Sequence, residues 1–126
     1  MPHTITTEPA GYRMRLTGRL TVEGATTAID DLDACGASDL HRYELVDLTD
    51  SEPLDLTHED LHRIARRAMR STRRPGVRLA LVGSEGVLGT NGPDYAHILG
   101  TWMSPNAWNV ETFCDLAAGE AWATQA

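Results

Sequence analysis

Hydrophobic and polar positions along the chain switch repeatedly between two periods. In residues 12–17, Tyr12, Met14 and Leu16 alternate with Arg13, Arg15 and Thr17, the period-two pattern of a strand with one wet face. Residues 3–7 read as its hairpin partner, joined through Pro9-Ala10-Gly11, which places this pair near a sheet edge. Residues 21–35 change to helical spacing: Val22, Ala25, Ile29 and Leu32 make a stripe, Asp30, Asp31 and Asp33 lie mostly off it, and Gly36 is a natural stop. Residues 43–48 are a short, mostly buried strand. A second helix is predicted from about Thr57 to Thr72, with Leu61, Ile64, Ala65 and Ala68 inward and Pro75-Gly76 ending it. Residues 77–82 read as a central strand, Gly83 to Gly92 as a glycine-rich loop, 93–104 as a helix opened by Pro93, 108–113 as a last strand and 115–124 as a terminal helix.

Continuous apolar strands linked by helices call for right-handed β-α-β crossovers. The expected fold class is therefore α/β, a largely parallel sheet with an antiparallel N-terminal edge hairpin and about four helices. With 126 residues and no linker or repeat, residues 1–126 are expected to form one domain.

Composition narrows the chemistry. Hydrophobic residues make up 41% and charged residues 23%, ordinary for a globular domain, and the formal charge is −7. All 11 basic residues are arginine, so no lysine can serve as a Schiff base, a general base or a Walker-type phosphate ligand. Cys35 and Cys114 belong to no Cys-x-x-Cys or zinc-like cluster, and two free, mostly buried thiols in a reducing cytoplasm are expected. The start has no basic region followed by an apolar core, and no apolar run nears the ~18 residues of a membrane span. A cytoplasmic location without membrane insertion is the expectation.

The sharpest motif is His58-Glu59-Asp60-Leu61-His62, a literal match to the zinc-peptidase pattern H-E-x-x-H. A zinc hydrolase is one alternative. Against it, His58 falls on the first helical turn, Asp60 adds a second carboxylate to a normally uncharged motif core, and His3, His41 and His97 are scattered. A capped helix start explains every residue: Thr57 as N-cap, Asp60 three positions on in a capping-box place, acidic groups at the positive helix terminus, and Glu59 within reach of Arg63. No catalytic, metal or cofactor residue is assigned, and the chain is expected not to be an enzyme.

Arg63, Arg66, Arg67, Arg70, Arg73 and Arg74 recur at three- and four-residue spacing opposite the apolar stripe of the same helix. Between residues 61 and 78 there is no acidic side chain, which leaves 4 of the 11 arginines to stand against all 18 acidic residues elsewhere. The stripe reads either as a docking face for an acidic protein or as a solvated face paired with Asp30, Asp31 and Asp33. Nucleic acid fits less well, because no aromatic residue interleaves with the arginines and the overall charge is negative. The loop Gly83-Ser-Glu-Gly-Val-Leu-Gly89 matches neither G-x-G-x-x-G nor Walker A. Trp102, Met103, Trp108, Phe113 and Trp122 crowd into the last third, as core, as an apolar pocket or as a homodimer seam.

Tyr12-Arg-Met-Arg-Leu-Thr-Gly18, Glu44-Leu-Val-Asp-Leu48, Arg78-Leu-Ala-Leu-Val-Gly83 and the ending from Val110-Glu-Thr-Phe113 through Ala121-Trp122 resemble the bacterial SpoIIAA-like proteins. Those are similar to the STAS domain of anti-sigma-factor antagonists and share a fold class with CRAL-TRIO lipid carriers. The resemblance implies a four- or five-stranded sheet wrapped by helices and no catalytic residues. STAS antagonists carry a phosphorylated hydroxyl in D-S-[ST]-G; here the matching stretch is Asp55-Leu56-Thr57-His58, with Thr57 at the phosphosite but the first Ser and the Gly missing. The expected function is a non-enzymatic regulatory or binding module that engages an acidic protein partner or a small apolar, lipid-like ligand. A phosphoswitch at Thr57 is the other alternative.

Overall fold

The computed structural model describes residues 3–35, 42–70, 76–88, 92–104 and 107–125. Five strands, β1 (His3–Glu8), β2 (Gly11–Leu16), β3 (Tyr43–Asp47), β4 (Arg78–Val82) and β5 (Asn109–Phe113), form one sheet in sequential order. β1 runs antiparallel to β2, and every later pairing is parallel. The helices are α1 (Val22–Ala34), α2 (His58–Met69), α3 (Glu85–Leu88), α4 (Gly92–Met103) and α5 (Leu116–Ala123). This is the α/β architecture and edge hairpin expected from the hydrophobic pattern, with boundaries shifted by up to about three residues.

Local chemistry explains where helices start. The Thr21 side chain accepts the Gly24 N–H at 3.0 Å to cap α1, and Asp115 accepts the Ala117 N–H at 2.9 Å to cap α5. Thr57 and Asp60 complete the capping box: Thr57 Oγ1 accepts the Asp60 N–H at 3.1 Å, and Asp60 Oδ2 accepts the Thr57 N–H at 3.0 Å. Gly36 and residues 71–75, where the pattern ends the first two helices, lie outside the described residues.

Strand alternation sorts the core into two layers. Met14, Leu16, Leu79 and Leu81 face α1, α2 and α4, whereas Leu45, Ala80 and Val82 face α5. The three crossover helices share one side because the strand order advances in one direction and right-handed crossovers then all pass over the same face. α5 returns beneath the other face and packs on β3, β4 and β5.

Two expectations need correction. The Gly83–Gly92 segment is not all loop, because α3 lies within it: Val87 and Leu88 are buried in the core, and the Val87 carbonyl accepts the Leu54 N–H at 2.8 Å. Hydrophobic burial outweighs the helix cost of Gly86 over so short a turn. Cys35 and Cys114 are free as expected but exposed, since Cys35 caps the solvent end of α1 and Cys114 stands in the turn between β5 and α5.

Two glycines are set by close approach. At Gly11, opposite Tyr43 in the β2–β3 register, a Cβ would stand 2.5 Å from the Tyr43 carbonyl oxygen and 2.7 Å from its ring. At Gly119 a Cβ would stand 2.6 Å from Val82 Cγ2, so α5 sits on β4 through a bare backbone. Gly119→Ala should lower stability by about 1–3 kcal/mol, because overpacking against β4 outweighs the gain of ~1 kcal/mol in helix propensity. Urea denaturation checks this; a raised midpoint would mean that α5 is not seated as described.

Candidate functional site

The layer above the sheet packs as two apolar clusters, and the site lies at their seam. One cluster joins α2 and α4 to β4 through Leu61, Ala65, Leu79, Leu99 and Met103. The other joins α1 to β2 through Met14, Leu16, Ala28 and Leu32, while Val46 and Leu54 touch both. Small side chains from both helices reach the seam: Ala25 and Ala28 from α1 and Ala68 from α2. Side chains this short cannot fill the space above Met14 and Val46. A cavity of about 100 Å³ results, partly open to solvent and lined from both clusters.

Its walls are almost wholly apolar. The exceptions among the described lining residues are Tyr95, whose hydroxyl reaches the Leu54 carbonyl at 3.5 Å, and Glu44. Glu44 is the second residue of β3, is 8% exposed and stands between Tyr12 and Leu79 in the sheet register. The described lining holds no Ser, Thr, Cys or His, so it can enclose an apolar group but presents no aliphatic hydroxyl, thiol or imidazole nucleophile.

The aromatic cluster, open from the sequence to being core, pocket or dimer seam, is divided by the sheet. Met103, the last residue of α4, and Trp108 are buried in the cluster on the crossover-helix side, and of the two only Met103 reaches the cavity. Phe113 and Trp122 pack together on the α5 side, ring centroids 5.5 Å apart, where Arg78 lies over the Trp122 ring and donates to the carbonyls of Trp122 and Gln125 at 3.1 and 2.8 Å. Trp102 instead points outward at 45% exposure and stacks on His62 of α2, centroids 3.9 Å apart and planes 19° from parallel.

The arginine stripe is divided as well. Arg67 bridges to α1, donating from Nε to Asp30 at 2.7 Å and from Nη2 to Asp33 at 2.9 Å. The bond to Asp33, reinforced by Asp30, raises its pKa above the ordinary arginine value. Arg63, Arg66 and Arg70 are exposed and make no ion pair among the described residues, the expected Glu59–Arg63 pair included. Arg73 and Arg74 lie outside the described residues. Thr57 is exposed, with its oxygen engaged in the cap beside the Asp60 carboxylate. Among the described residues no group of three or more His, Cys, Asp or Glu side chains could hold a metal ion, and His62 gives a ring face to Trp102. None of the described helices is long and apolar enough to cross a membrane.

A second polar group lies under the sheet. The Tyr43 hydroxyl donates to Glu8 Oε1 at 2.5 Å, and Arg13, 3.7 Å from Glu8, donates to Glu120 of α5 at 2.6 Å. This chain of charges ties the edge hairpin to the terminal helix.

The five-stranded sheet with its antiparallel edge hairpin, three crossover helices on one face and α5 on the other has a SpoIIAA-like fold. No family model and no curated protein matches the chain. The fold is shared with a solved structure from Shewanella loihica PV-4, an uncharacterized protein of the DUF3478 family with a SpoIIAA-like fold. The likeness has a TM-score of 0.62 at 16% identity and covers 97% of this chain and 92% of that one.

Tyr43 supplies a pH signature. Burial first, and the bond to Glu8 second, push its pKa up to about 12 from the ordinary 10. Between these values the folded chain keeps a proton that the unfolded chain has released, so the contribution is complete below about pH 10 and fades toward pH 12. Urea denaturation across this range should show stability falling more steeply in the native chain than in Tyr43→Phe. Equal slopes would contradict this role of the buried phenol.

Proposed function

We propose that the chain is a non-enzymatic binding module that takes a small apolar ligand, or the end of a lipid-like chain, between the sheet and the α1–α2–α4 layer. The supporting observation is the cavity of about 100 Å³ at the seam of the two clusters. Apolar voids are costly: a poorly filled core loses about 24 cal/mol for each Å³ of residual space, so a ligand that fills it recovers dispersion contacts without breaking hydrogen bonds. An apolar cavity of about 150 Å³ holds benzene. The smaller space here suits a few carbon atoms, and its open side lets a longer chain enter by its tip.

Binding rather than turnover is the reading because the described lining carries one carboxylate and one phenol in an apolar wall. Covalent catalysis would need a nucleophile activated by a base, and the described lining places no histidine, cysteine or serine there to supply one. The fold supports the same reading at a coarser level, as that of a STAS-type module.

n-Pentanol is a suitable probe. At ten times its dissociation constant it should stabilise the native chain by about 1.4 kcal/mol, a melting-temperature rise of a few degrees. Ala28→Val places two methyl groups on a fully buried wall position. It should abolish that rise while leaving unliganded stability within about 1 kcal/mol of the native value. No rise in the native chain, or an equal rise in Ala28→Val, would overturn the proposal.

A further inference from the structure

We propose that the outer face of α2, together with Trp102 of α4, docks an acidic segment of a partner protein. Three observations converge there. Arg63, Arg66 and Arg70 fall within an arc of about 60° on α2 and span about 10 Å along its axis. Arg67, at the edge of that arc, turns to α1 and leaves the other three exposed and without ion pairs among the described residues. Glu59 is the acidic side chain on this ridge and stands at its N-terminal end.

Trp102 borders the ridge on the opposite side from α1. It is the exposed large hydrophobic residue among those described, and its stack on His62 fixes the indole against α2 instead of leaving it to swing in solvent. An immobilised indole beside guanidinium groups loses little conformational freedom on binding, and tryptophan and arginine are the residue types that most often dominate interface energies. The pairing also changes the earlier expectation that no aromatic group accompanies the arginines.

Charge selects the occupant. Guanidinium forks match carboxylates two bonds at a time. With a net charge of −7, the chain as a whole repels extended polyanions such as nucleic acid or an anionic bilayer. A short acidic segment senses charges only within a Debye length of about 8–10 Å, and so meets the local positive ridge. The fitting partner presents several carboxylates along one face and an apolar side chain to cover Trp102.

The test measures fluorescence anisotropy of a labelled glutamate-leucine helical peptide against the full-length chain. Parallel titrations use phosphatidylglycerol vesicles and a single-stranded oligonucleotide, and sedimentation reports self-association. The peptide is expected to bind, with affinity falling about tenfold or more in Arg63→Gln/Arg66→Gln/Arg70→Gln and at least about fivefold in Trp102→Ala. Trp102→Phe should restore part of the loss, and unchanged circular dichroism and melting would confirm that the variants fold. The proposal is overturned by absent peptide binding, by affinity insensitive to the arginine substitutions, by tighter binding of vesicle or oligonucleotide, or by a dimer that buries the ridge.

Discussion

The handedness of the β-α-β crossover is the constraint on which the rest of this molecule depends. Because β2, β3, β4 and β5 are laid down side by side in sequence order, α1, α2 and α4 must all cross the same face. Three helices therefore share one roof, and their meeting lines must be filled from whatever side chains the sequence supplies. Between α2 and α4, Leu61, Leu99 and Met103 pack together and close one side of the cavity. Between α1 and α2, Ala25, Ala28 and Ala68 reach only a short way inward and leave the cavity beneath them.

α2 thus has three working faces. Its apolar side roofs the cavity, Arg67 on one flank locks it to the α1 carboxylates, and His62 on the other flank meets Trp102. The exposed ridge between these flanks is left without internal duties. The capping box at Thr57 and Asp60 fixes where this helix begins and so sets the angular position of all three faces. On the far side of the sheet, α5 closes the core through the close contact at Gly119 and the charged chain from Glu8 to Glu120.

Much of this was legible in the residues. The alternation of Tyr12, Met14 and Leu16, the helical stripe of α2 and the Thr57 cap carried the element order, sheet type and edge hairpin directly. The site was harder. Counting aromatics along the chain put Trp102, Trp108, Phe113 and Trp122 together, but adjacency in sequence does not say on which side of a sheet a residue falls. β5 passes between them and separates Trp108 from Trp122. A cavity arises from side chains that are too short, so hydrophobic bulk is a poor guide to it. Ala25, Ala28 and Ala68 on facing helices, with Glu44 buried beside Leu45 and Val46 in β3, were its available signals. The charge stripe was visible as a repeat, but its division between Arg67 and the exposed arginines depends on where α1 lies.

The central claim, that the seam between the two apolar clusters is a ligand-accepting space, is tested most directly by diffraction from crystals held under xenon pressure. Xenon enters dry apolar cavities and scatters strongly enough to be located without ambiguity. The result expected is one xenon peak enclosed by Ala28, Val46, Leu61 and Leu79, absent from crystals of Ala28→Val. No peak at that position, or a peak unchanged in the filled variant, would contradict the claim.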